Sequence, residues 1–330
     1  MKKNLIIDFS NMYYRSLFAA ASQNSGKKNR GSAFDDDFSD QFKTQDEIFD
    51  YWRHLITSTL IELVSKDEWD RVILAYDSRN YWRKDIYPEY KAHRKKFRDN
   101  NKKIDFDKFM PILNDYIEEI RLVFPSLYHL EVERAEADDI AAVLTEEFSN
   151  NGEYTELLTT DKDFNQLLKL PNVKIYNPIK KEYVECLNPE KELQIKCITG
   201  DSGDNIFGIR PKTGPVRAEA LIKSGELHDC LLMEESIMSE EQKSMVTNYK
   251  RNVQLIDFTY IPSAMKNTIL SDFENYEMNK FSQVDALHWC STHNLKDLST
   301  RFLTNASYPF MALYNKHKER KEMQEEFDIV

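Results

Sequence analysis

The sequence lacks the long apolar runs, paired cysteines and nucleotide-binding signatures that define several large classes of protein. No window approaches roughly 18 consecutive apolar residues, so no transmembrane helix is predicted. The four cysteines form no CxxC pair, which excludes a zinc ribbon and a disulfide framework and predicts free thiols in a cytosolic protein. The chain contains no HExxH motif, and the absence of GxxxxGK[ST] excludes a P-loop NTPase. Asp8 interrupts the short apolar run near the N-terminus, which predicts a strand there and not a signal peptide.

The charge is strongly uneven along the chain. The net charge is -11, but residues 79–103 carry ten Lys or Arg against three acidic residues, a local balance of +7. Aromatic residues are interleaved in this basic window, which suits contacts to a nucleic-acid backbone combined with base stacking. A plain solvated loop is the other interpretation of the window.

Short apolar runs rich in β-branched and aromatic residues alternate with helical patterns in the first half of the chain. This alternation predicts an α/β fold with a central, mostly parallel sheet flanked by helices. The predicted strands are Leu5–Phe9, Val72–Tyr76, Tyr128–Val132, Thr155–Leu158 and Val173–Tyr176. Strand signals fade beyond about Cys186, and the chain is then predicted to be helical to its end. We therefore expect an α/β core over residues 1–185, a helical part over residues 186–330, and a polar insertion at residues 22–44.

Acidic residues follow the first four predicted strands at their carboxyl ends. In chain order they are Asp8, Asp77, the group Glu136, Asp138 and Asp139, and the pair Asp161 and Asp163. One such residue is often only a helix cap, but ligands of parallel sheets bind where the carboxyl ends of the strands meet. Crowded carboxylates repel one another unless a cation neutralises them, and an all-oxygen ligand set favours Mg²⁺ or Mn²⁺ over zinc. Four acidic groups in succession therefore predict a divalent-metal site.

A second acidic pair, Asp201 and Asp204, lies in the stretch from Thr199 to Ile222. The i, i+3 spacing allows both side chains to point the same way from a helical turn. Gly208 and Gly214 flank a tight connection, and a predicted helix follows. The pattern fits a helix–turn–helix hairpin at about residues 190–224 that holds a phosphate backbone, and it fits an ordinary αα-hairpin equally well.

Five motifs occur in the order and spacing of the 5′-nuclease family, which comprises flap endonucleases, polymerase 5′-nuclease domains and phage exonucleases. They are IDFS, AYDSRNYWRKDIYPEYKAHR, EADDIAA, TTDKDFNQL and TGDSGDNIFGI. The later stretch from Tyr249 to Pro262 resembles phage ribonuclease H members of this family, and the resemblance covers roughly residues 4–300. The insertion at residues 22–44 is long for the family, and GIRPKTGPVR stands where many members have a Gly-x-Gly turn.

The resemblance implies a PIN/5′-nuclease-like fold and a set of site residues. The activity it implies is hydrolysis near the 5′ ends of DNA flaps, nicked DNA and RNA·DNA, including the removal of RNA primers in phage replication. The implied mechanism uses two Mg²⁺ ions, which Mn²⁺ can replace. The implied metal-binding residues are Asp8, Asp77, Glu136, Asp138, Asp161, Asp163 and Asp204, supported by Asp139 and Asp201. Arg83 and Lys91 would approach the scissile phosphate, and Tyr90 would stack on a base. An arch at about residues 79–105 and the hairpin would contact DNA through Arg94, Lys95, Lys96, Arg98, Lys102, Lys212 and Arg217.

The expected partners are DNA and RNA·DNA with free 5′ ends, a single-stranded-DNA-binding protein and a replication sliding clamp. The clamp would bind the tail Lys321–Val330, where apolar residues follow two glutamates, although a frayed end is the other interpretation. The expected location is the cytoplasm, of the host cell if the chain is phage-encoded, with no membrane association. Two alternatives are a PIN-type ribonuclease, which would be shorter and lack the hairpin, and a non-catalytic, structure-specific DNA-binding protein, against which the intact acids argue.

Overall fold

The computed structural model describes residues 1–23 and 44–328, with side chains described as far as Gln324. The insertion predicted at residues 22–44 therefore lies almost entirely outside the described residues. The same is true of the side chains from Glu325 onward, which include the apolar end of the predicted clamp-binding tail.

A six-stranded sheet with the order β3-β2-β1-β4-β5-β6 forms the centre of the described structure. Its strands are β1 Lys3–Asp8, β2 Arg71–Tyr76, β3 Tyr128–Glu131, β4 Tyr154–Leu158, β5 Val173–Asn177 and β6 Glu182–Tyr183. The first five are parallel, and the short β6 is antiparallel to β5. Apolar runs buried on both faces are typical of parallel strands, because helices cover both sides of such sheets.

The predicted α/β class and mostly parallel sheet are confirmed, and all five predicted strands exist with bounds shifted by two residues or fewer. Phe9 was predicted to end the first strand, but β1 ends at Asp8 and Phe9 begins the following helix. Asp8 is thus the last residue of a strand that lies between β2 and β4. Its carboxylate is held at the middle of the sheet's carboxyl edge.

Helices cover the sheet and form most of the second half of the chain. They are α1 Phe9–Gln23, α2 Gln45–Ser65, α3 Arg83–Ile86, α4 His93–Asp99, α5 Phe106–Val123, α6 Ala137–Asn150, α7 Pro189–Thr199, α8 Pro215–Ser224, α9 Glu226–Leu232, α10 Glu240–Ile256, α11 Ser263–Glu274, α12 Gln283–Thr292, α13 Lys296–Thr304 and α14 Ser307–Asp328. Short 3₁₀ segments span Lys162–Lys169, Glu235–Ile237 and Phe258–Tyr260. None of the helices in the described part is long and apolar enough to cross a membrane.

The region after Cys186 is not purely helical, which corrects the sequence prediction. A two-stranded hairpin, β7 Gly200–Asp201 and β8 Ile206–Phe207, separates α7 from α8. Two-residue strands carry too few residues to show an alternating pattern, so the sequence gives no strand signal here. Asp201 lies in β7, and Asp204 lies in the turn between the two strands.

Two large hydrophobic clusters flank the sheet, and both include residues from the C-terminal helices. One joins Trp52 of α2 and Phe124 to Phe302 and Phe310 of α13 and α14. The other joins the opposite face of the sheet to Ile269 of α11. A separate small cluster holds α7 to α10 together below the hairpin. The domain boundary predicted at 185/186 stays a prediction, and the packing of the core crosses it.

Candidate active site

The carboxylates of the sheet edge lie where parallel strands end and the following helices begin. Asp8 accepts hydrogen bonds from the backbone N–H of Asn11 and the hydroxyl of Thr159, both at 3.0 Å. Asp77 accepts one from the backbone N–H of Ala137 at 2.8 Å, which ties the end of β2 to the start of α6. These bonds fix the orientation of two carboxylates at adjacent strand ends.

Four carboxylates at this edge have no cationic partner. Among the residues that the structure describes, no Lys or Arg forms an ion pair with Asp8, Asp77, Asp138 or Asp161. Burial, reinforced by repulsion from Asp77 and Asp161, raises the pKa of Asp8 to about 7. Burial also raises the pKa of Asp138 well above its ordinary value, with repulsion from Asp8 and Asp161 adding to the effect. Without a Lys or Arg in an ion pair, Asp8 and Asp138 hold their protons more tightly than ordinary carboxyl groups.

Glu136, unlike these four carboxylates, is bound by three side chains from the basic window. Arg83 Nη1 donates to Glu136 Oε2 at 2.7 Å, the Tyr90 hydroxyl donates to the same oxygen at 3.0 Å, and the Lys91 ammonium contacts Oε1. Glu136 is only 1% exposed. Burial alone would raise the pKa of Glu136, but the positive charges of Lys91 and Arg83 outweigh it and lower that pKa. Glu136 is therefore an ionised and already paired carboxylate.

The positions of Arg83, Tyr90 and Lys91 differ from the expectation that they face a substrate. Their exposed fractions are 3%, 2% and 9%. The guanidinium of Arg83 also donates to the carbonyl of Leu255, so all three of its nitrogens are hydrogen-bonded within the protein. Tyr90 presents no exposed ring face on which a base could stack. A charge count could not reveal this burial, because the matching acid, Glu136, lies more than forty residues away in the sequence.

Asp139 lies behind the carboxylate edge and is hydrogen-bonded within the protein. Its carboxylate accepts two hydrogen bonds from Arg83, at 3.0 and 2.7 Å, and one from the Trp82 indole at 3.0 Å. It also accepts the backbone N–H of Glu136 at 2.9 Å and so caps α6. Asp139 is fully buried, and its supporting role behind the carboxylate edge agrees with these contacts.

A second carboxylate group lies beside the first and is formed by Asp163, Asp201 and Asp204. One oxygen of each lies within 4.8 Å of the others, a spacing that suits a shared cation. Asp201 therefore lies among the possible direct ligands. The Lys196 ammonium contacts Asp163 and lies 2.7 Å from Asp201 Oδ2, and Arg94 Nη2 lies 2.7 Å from Asp204 Oδ1. Lys196 could not be predicted as a site residue, since a single lysine near the end of a helix carries no distinguishing pattern.

The remaining predicted DNA contacts lie on two exposed surfaces. Lys95, Lys96 and Lys102 are exposed on α4 and the loop after it, and Arg98 is half-buried. Lys212 and Arg217 are exposed at the start of α8, where Arg217 donates to the carbonyl of Lys212. Arg79 and Lys84 are exposed as well, so within the basic window it is Arg83, Lys91 and Arg94 that are bound to carboxylates.

The donor set fits divalent cations of the hard, oxygen-binding type. Every candidate ligand is a carboxylate, with neither histidine nor cysteine among them, which is the chemistry that Mg²⁺ and Mn²⁺ prefer. Burial first, and repulsion between carboxylates second, raise the pKa values of Asp8 and Asp138, and a bound cation would offset both effects.

Comparison with known proteins assigns this arrangement to a family. A family model described as the 5′-3′ exonuclease N-terminal resolvase-like domain matches residues 3–196, more than half of the chain. The chain belongs to the 5′-3′ exonuclease family. It is accordingly a 5′-nuclease-type hydrolase, and the resemblance seen in the sequence motifs is confirmed.

Individual relatives of this 5′-3′ exonuclease family member include phage and bacterial nucleases. Ribonuclease H of Enterobacteria phage T4 is 29% identical over 244 residues, which cover 68% of this chain and 78% of that protein. Flap endonuclease Xni of Shewanella woodyi is 27% identical over 177 residues, covering 51% of this chain and 65% of the relative. DNA polymerase I of Rhizobium leguminosarum is 33% identical over 170 residues, which are 49% of this chain but only 15% of the polymerase.

Solved structures of the bacteriophage T5 5′-exonuclease share the fold. A form with divalent zinc ions bound superposes with a TM-score of 0.60 at 18% identity, covering 83% of this chain and 98% of that one. A T5 flap endonuclease variant described as a pseudo-enzyme-product complex with DNA and metal ions gives a TM-score of 0.60 at 17% identity, with the same coverage. At these identities the likeness shows the fold.

Proposed function

We propose that this chain is a divalent-metal-dependent 5′-nuclease that hydrolyses phosphodiesters near the 5′ ends of DNA flaps, nicked duplex DNA and RNA·DNA, including RNA primers in phage DNA replication. The observation that carries the proposal is the convergence of unpaired carboxylates at the carboxyl edge of the sheet. The metal ions and DNA described for the T5 structures support it, as does the similarity to the T4 ribonuclease H.

Mg²⁺ is the proposed cofactor, with Mn²⁺ able to replace it. The residues that would hold one ion are Asp8, Asp77, Asp138 and Asp161, and those that would hold a second are Asp163, Asp201 and Asp204. When bound, such ions lower the pKa of a coordinated water and offset the negative charge that develops on the phosphate.

The side chains around the carboxylates would orient the site and bind the substrate. Thr159 and Asn11 hold the Asp8 carboxylate in place, and Arg83 positions Glu136 through a buried ion pair. Lys91 can add positive charge at the scissile phosphate once its ammonium leaves Glu136. The buried guanidinium of Arg83 cannot leave Glu136 in the same way, so we assign Arg83 to positioning and not to contact with the phosphate.

DNA binding is proposed for the exposed basic surfaces. Lys95, Lys96, Arg98 and Lys102 would neutralise phosphates of a single-stranded 5′ end, and Lys212 and Arg217 would contact the duplex at the hairpin. Because the carboxylate edge repels phosphate, productive binding there requires divalent cations.

A sliding clamp and a single-stranded-DNA-binding protein remain proposed partners. The side chains of the tail from Glu325 onward lie outside the described residues, so the clamp proposal rests on the sequence alone. Deleting residues 325–330 should leave cleavage of a short oligonucleotide unchanged and remove stimulation by the cognate clamp. Equal stimulation of both forms would exclude the tail as the contact.

The function is tested by cleavage of a 5′-flap DNA and an RNA·DNA duplex with Mg²⁺ and with EDTA. Wild type should cleave only with Mg²⁺, and Asp138→Asn should lose cleavage, because Asp138 is one of the four unpaired carboxylates. Asp272→Asn changes an exposed carboxylate on α11 and is the matched control. Binding of flap DNA without cleavage under any metal condition would favour the non-catalytic alternative, and activity in EDTA would contradict the metal dependence.

A further inference from the structure

The two carboxylate groups of the candidate site differ in how much positive charge the chain itself supplies. Asp163, Asp201 and Asp204 bring three negative charges when ionised. Lys196 and Arg94 form close ion pairs with this group, and Lys91, which is bound to Glu136, lies 3.8 Å from Asp204. The other group, which includes Asp8 and Asp138, has no ion pair to a Lys or Arg among the described residues.

Lys196 occupies the position that a cation shared by Asp163 and Asp201 would take. It lies in the last turn of α7, directly before the hairpin that carries Asp201, and its side chain is 25% exposed. The lysine stem is flexible, and its ammonium is a compact, strongly hydrated point charge. A divalent ion and this ammonium compete for the same carboxylate oxygens, because like charges at such distances repel.

We propose that Lys196 is a tethered counter-cation of the Asp163–Asp201–Asp204 group, which a divalent ion must displace, so that the two groups fill with metal in a fixed order. The group of Asp8 and Asp138 fills first, and the lysine-paired group fills second and more weakly. Lys196 thereby keeps the carboxylates of the second group ordered when no metal is bound, and it lowers the metal affinity of that group. This inference rests on the proposed metal-dependent function.

Mn²⁺ binding to the full chain without DNA tests the proposal, with calorimetry and the electron paramagnetic resonance signal of free Mn²⁺ as readouts. Wild type should show a stronger and a weaker site. Lys196→Gln should tighten the weaker site by on the order of tenfold or more, the scale of a charge interaction at 4–6 Å. The stronger site should change much less, because Lys196 forms no ion pair there and acts only through its charge near Asp161. Lys196→Arg, which keeps the positive charge, should stay close to wild type.

Three further variants assign the sites and control for the helix. Asp138→Asn should remove the stronger site, and Asp201→Asn the weaker one. Lys191→Gln is the matched control, since Lys191 lies on the same helix and pairs with Glu219 at 3.1 Å, away from the carboxylates. In EDTA, Lys196→Gln should melt below wild type, because Asp163 and Asp201 lose their counter-charge, and Mn²⁺ should raise its Tm by more than it raises that of wild type.

An unchanged or weakened second site in Lys196→Gln would overturn the proposal, since it would show that the ammonium does not compete with metal. Should Lys196→Gln fail to fold, Lys196→Met preserves the length of the stem without its charge and carries the same expectation. Wild type that binds no Mn²⁺ and does not cleave would instead refute the proposed function itself. Wild type that cleaves with Mg²⁺ but shows two independent sites insensitive to position 196 would refute only the inference.

Discussion

Arg83 illustrates how one residue in a basic motif can have a different task from its neighbours. Its guanidinium is enclosed by Glu136, Asp139 and the carbonyl of Leu255, whereas Lys95 on the same stretch of chain is exposed. Removing one member of a buried charge group leaves the others without a partner, which is more harmful than losing an exposed ion pair.

We predict that Arg83→Gln lowers the free energy of unfolding by about 3–5 kcal/mol, because Glu136 and Asp139 become buried and uncompensated. Arg83→Lys should rescue little, since an ammonium cannot reproduce the paired hydrogen bonds to Asp139. Arg134→Gln is the control, because its pair with Asp85 is exposed and its loss should cost less than about 1 kcal/mol. Urea denaturation of the metal-free proteins measures all three, and equal stabilities would contradict the positioning role.

Asp8 should make the stability of the metal-free protein depend on pH. Its pKa is about 7 in the folded state against an ordinary 3.8, so the folded form holds this proton more tightly than the unfolded form. The stability from this group is therefore complete below about pH 4 and is lost as the pH rises through about 7.

We predict that Asp8→Asn, which resembles the protonated acid, becomes more stable relative to wild type as the pH rises from about 5 to about 8 in EDTA. The difference should reach roughly 2–4 kcal/mol, the scale of a pKa shift of this size. Denaturation at several pH values measures it. Titrating groups remote from the carboxylate edge cancel because both proteins share them, whereas Asp138 loses the repulsion of Asp8 in the variant. A difference that does not change with pH would show that Asp8 is ionised throughout.

The hairpin between α7 and α8 is the element that brings Asp201 and Asp204 to the sheet. It requires glycine at position 200, where φ is +76° and a Cβ would lie 2.3 Å from the carbonyl oxygen of Ile206. That oxygen belongs to the opposite strand, so the strain cannot be relieved by rotating a side chain.

We predict that Gly200→Ala separates the two strands and lowers cleavage on the order of 10²-fold, as expected when ligand carboxylates are misplaced. Local stability should fall by about 1–3 kcal/mol. Gly214→Ala is the matched control, because a Cβ there meets open space and φ is not positive. Parallel cleavage and thermal-melting assays compare the two, and full activity of Gly200→Ala would show that the hairpin does not position the carboxylates.

The strands and the acids that follow them could be predicted because both depend on local patterns. Apolar runs mark buried strands, and parallel connectivity places the next acid at the same edge. The local pattern does not distinguish Asp138, which forms no ion pair, from Asp139, which faces Arg83, although adjacent residues on a helix point about 100° apart. Only the family resemblance separated their roles. Lys196 and the hairpin were missed because their roles depend on contacts between distant parts of the chain.

At the scale of the whole molecule, the C-terminal helices complete the core of the nuclease fold. Phe310 of α14 is fully buried, with its ring centroid 4.9 Å from that of Phe124 and 5.2 Å from that of Phe281. The same helix binds the loop before β2, where Lys316 donates to the carbonyl of Trp69 and Arg320 to that of Asp70.

We predict that Phe310→Ala lowers the free energy of unfolding of the whole protein by about 3–5 kcal/mol, although Phe310 is remote from the carboxylates. Met311→Ala, at a partly exposed neighbouring position, should have a much smaller effect. Urea transitions followed by circular dichroism and by tryptophan fluorescence should shift together. Two separate transitions would show that the C-terminal helices unfold independently of the sheet.

The docking of α14 against the start of β2 has a consequence for synthesis on the ribosome. More than two hundred residues separate Trp69 from Lys316, so the sheet strands leave the ribosome well before the helix that covers them. Until then, the apolar surface around Phe124 stays open to water and to other nascent chains. Folding of this face must therefore wait until most of the chain has been translated, and in the interval the growing polypeptide is a natural client for a chaperone.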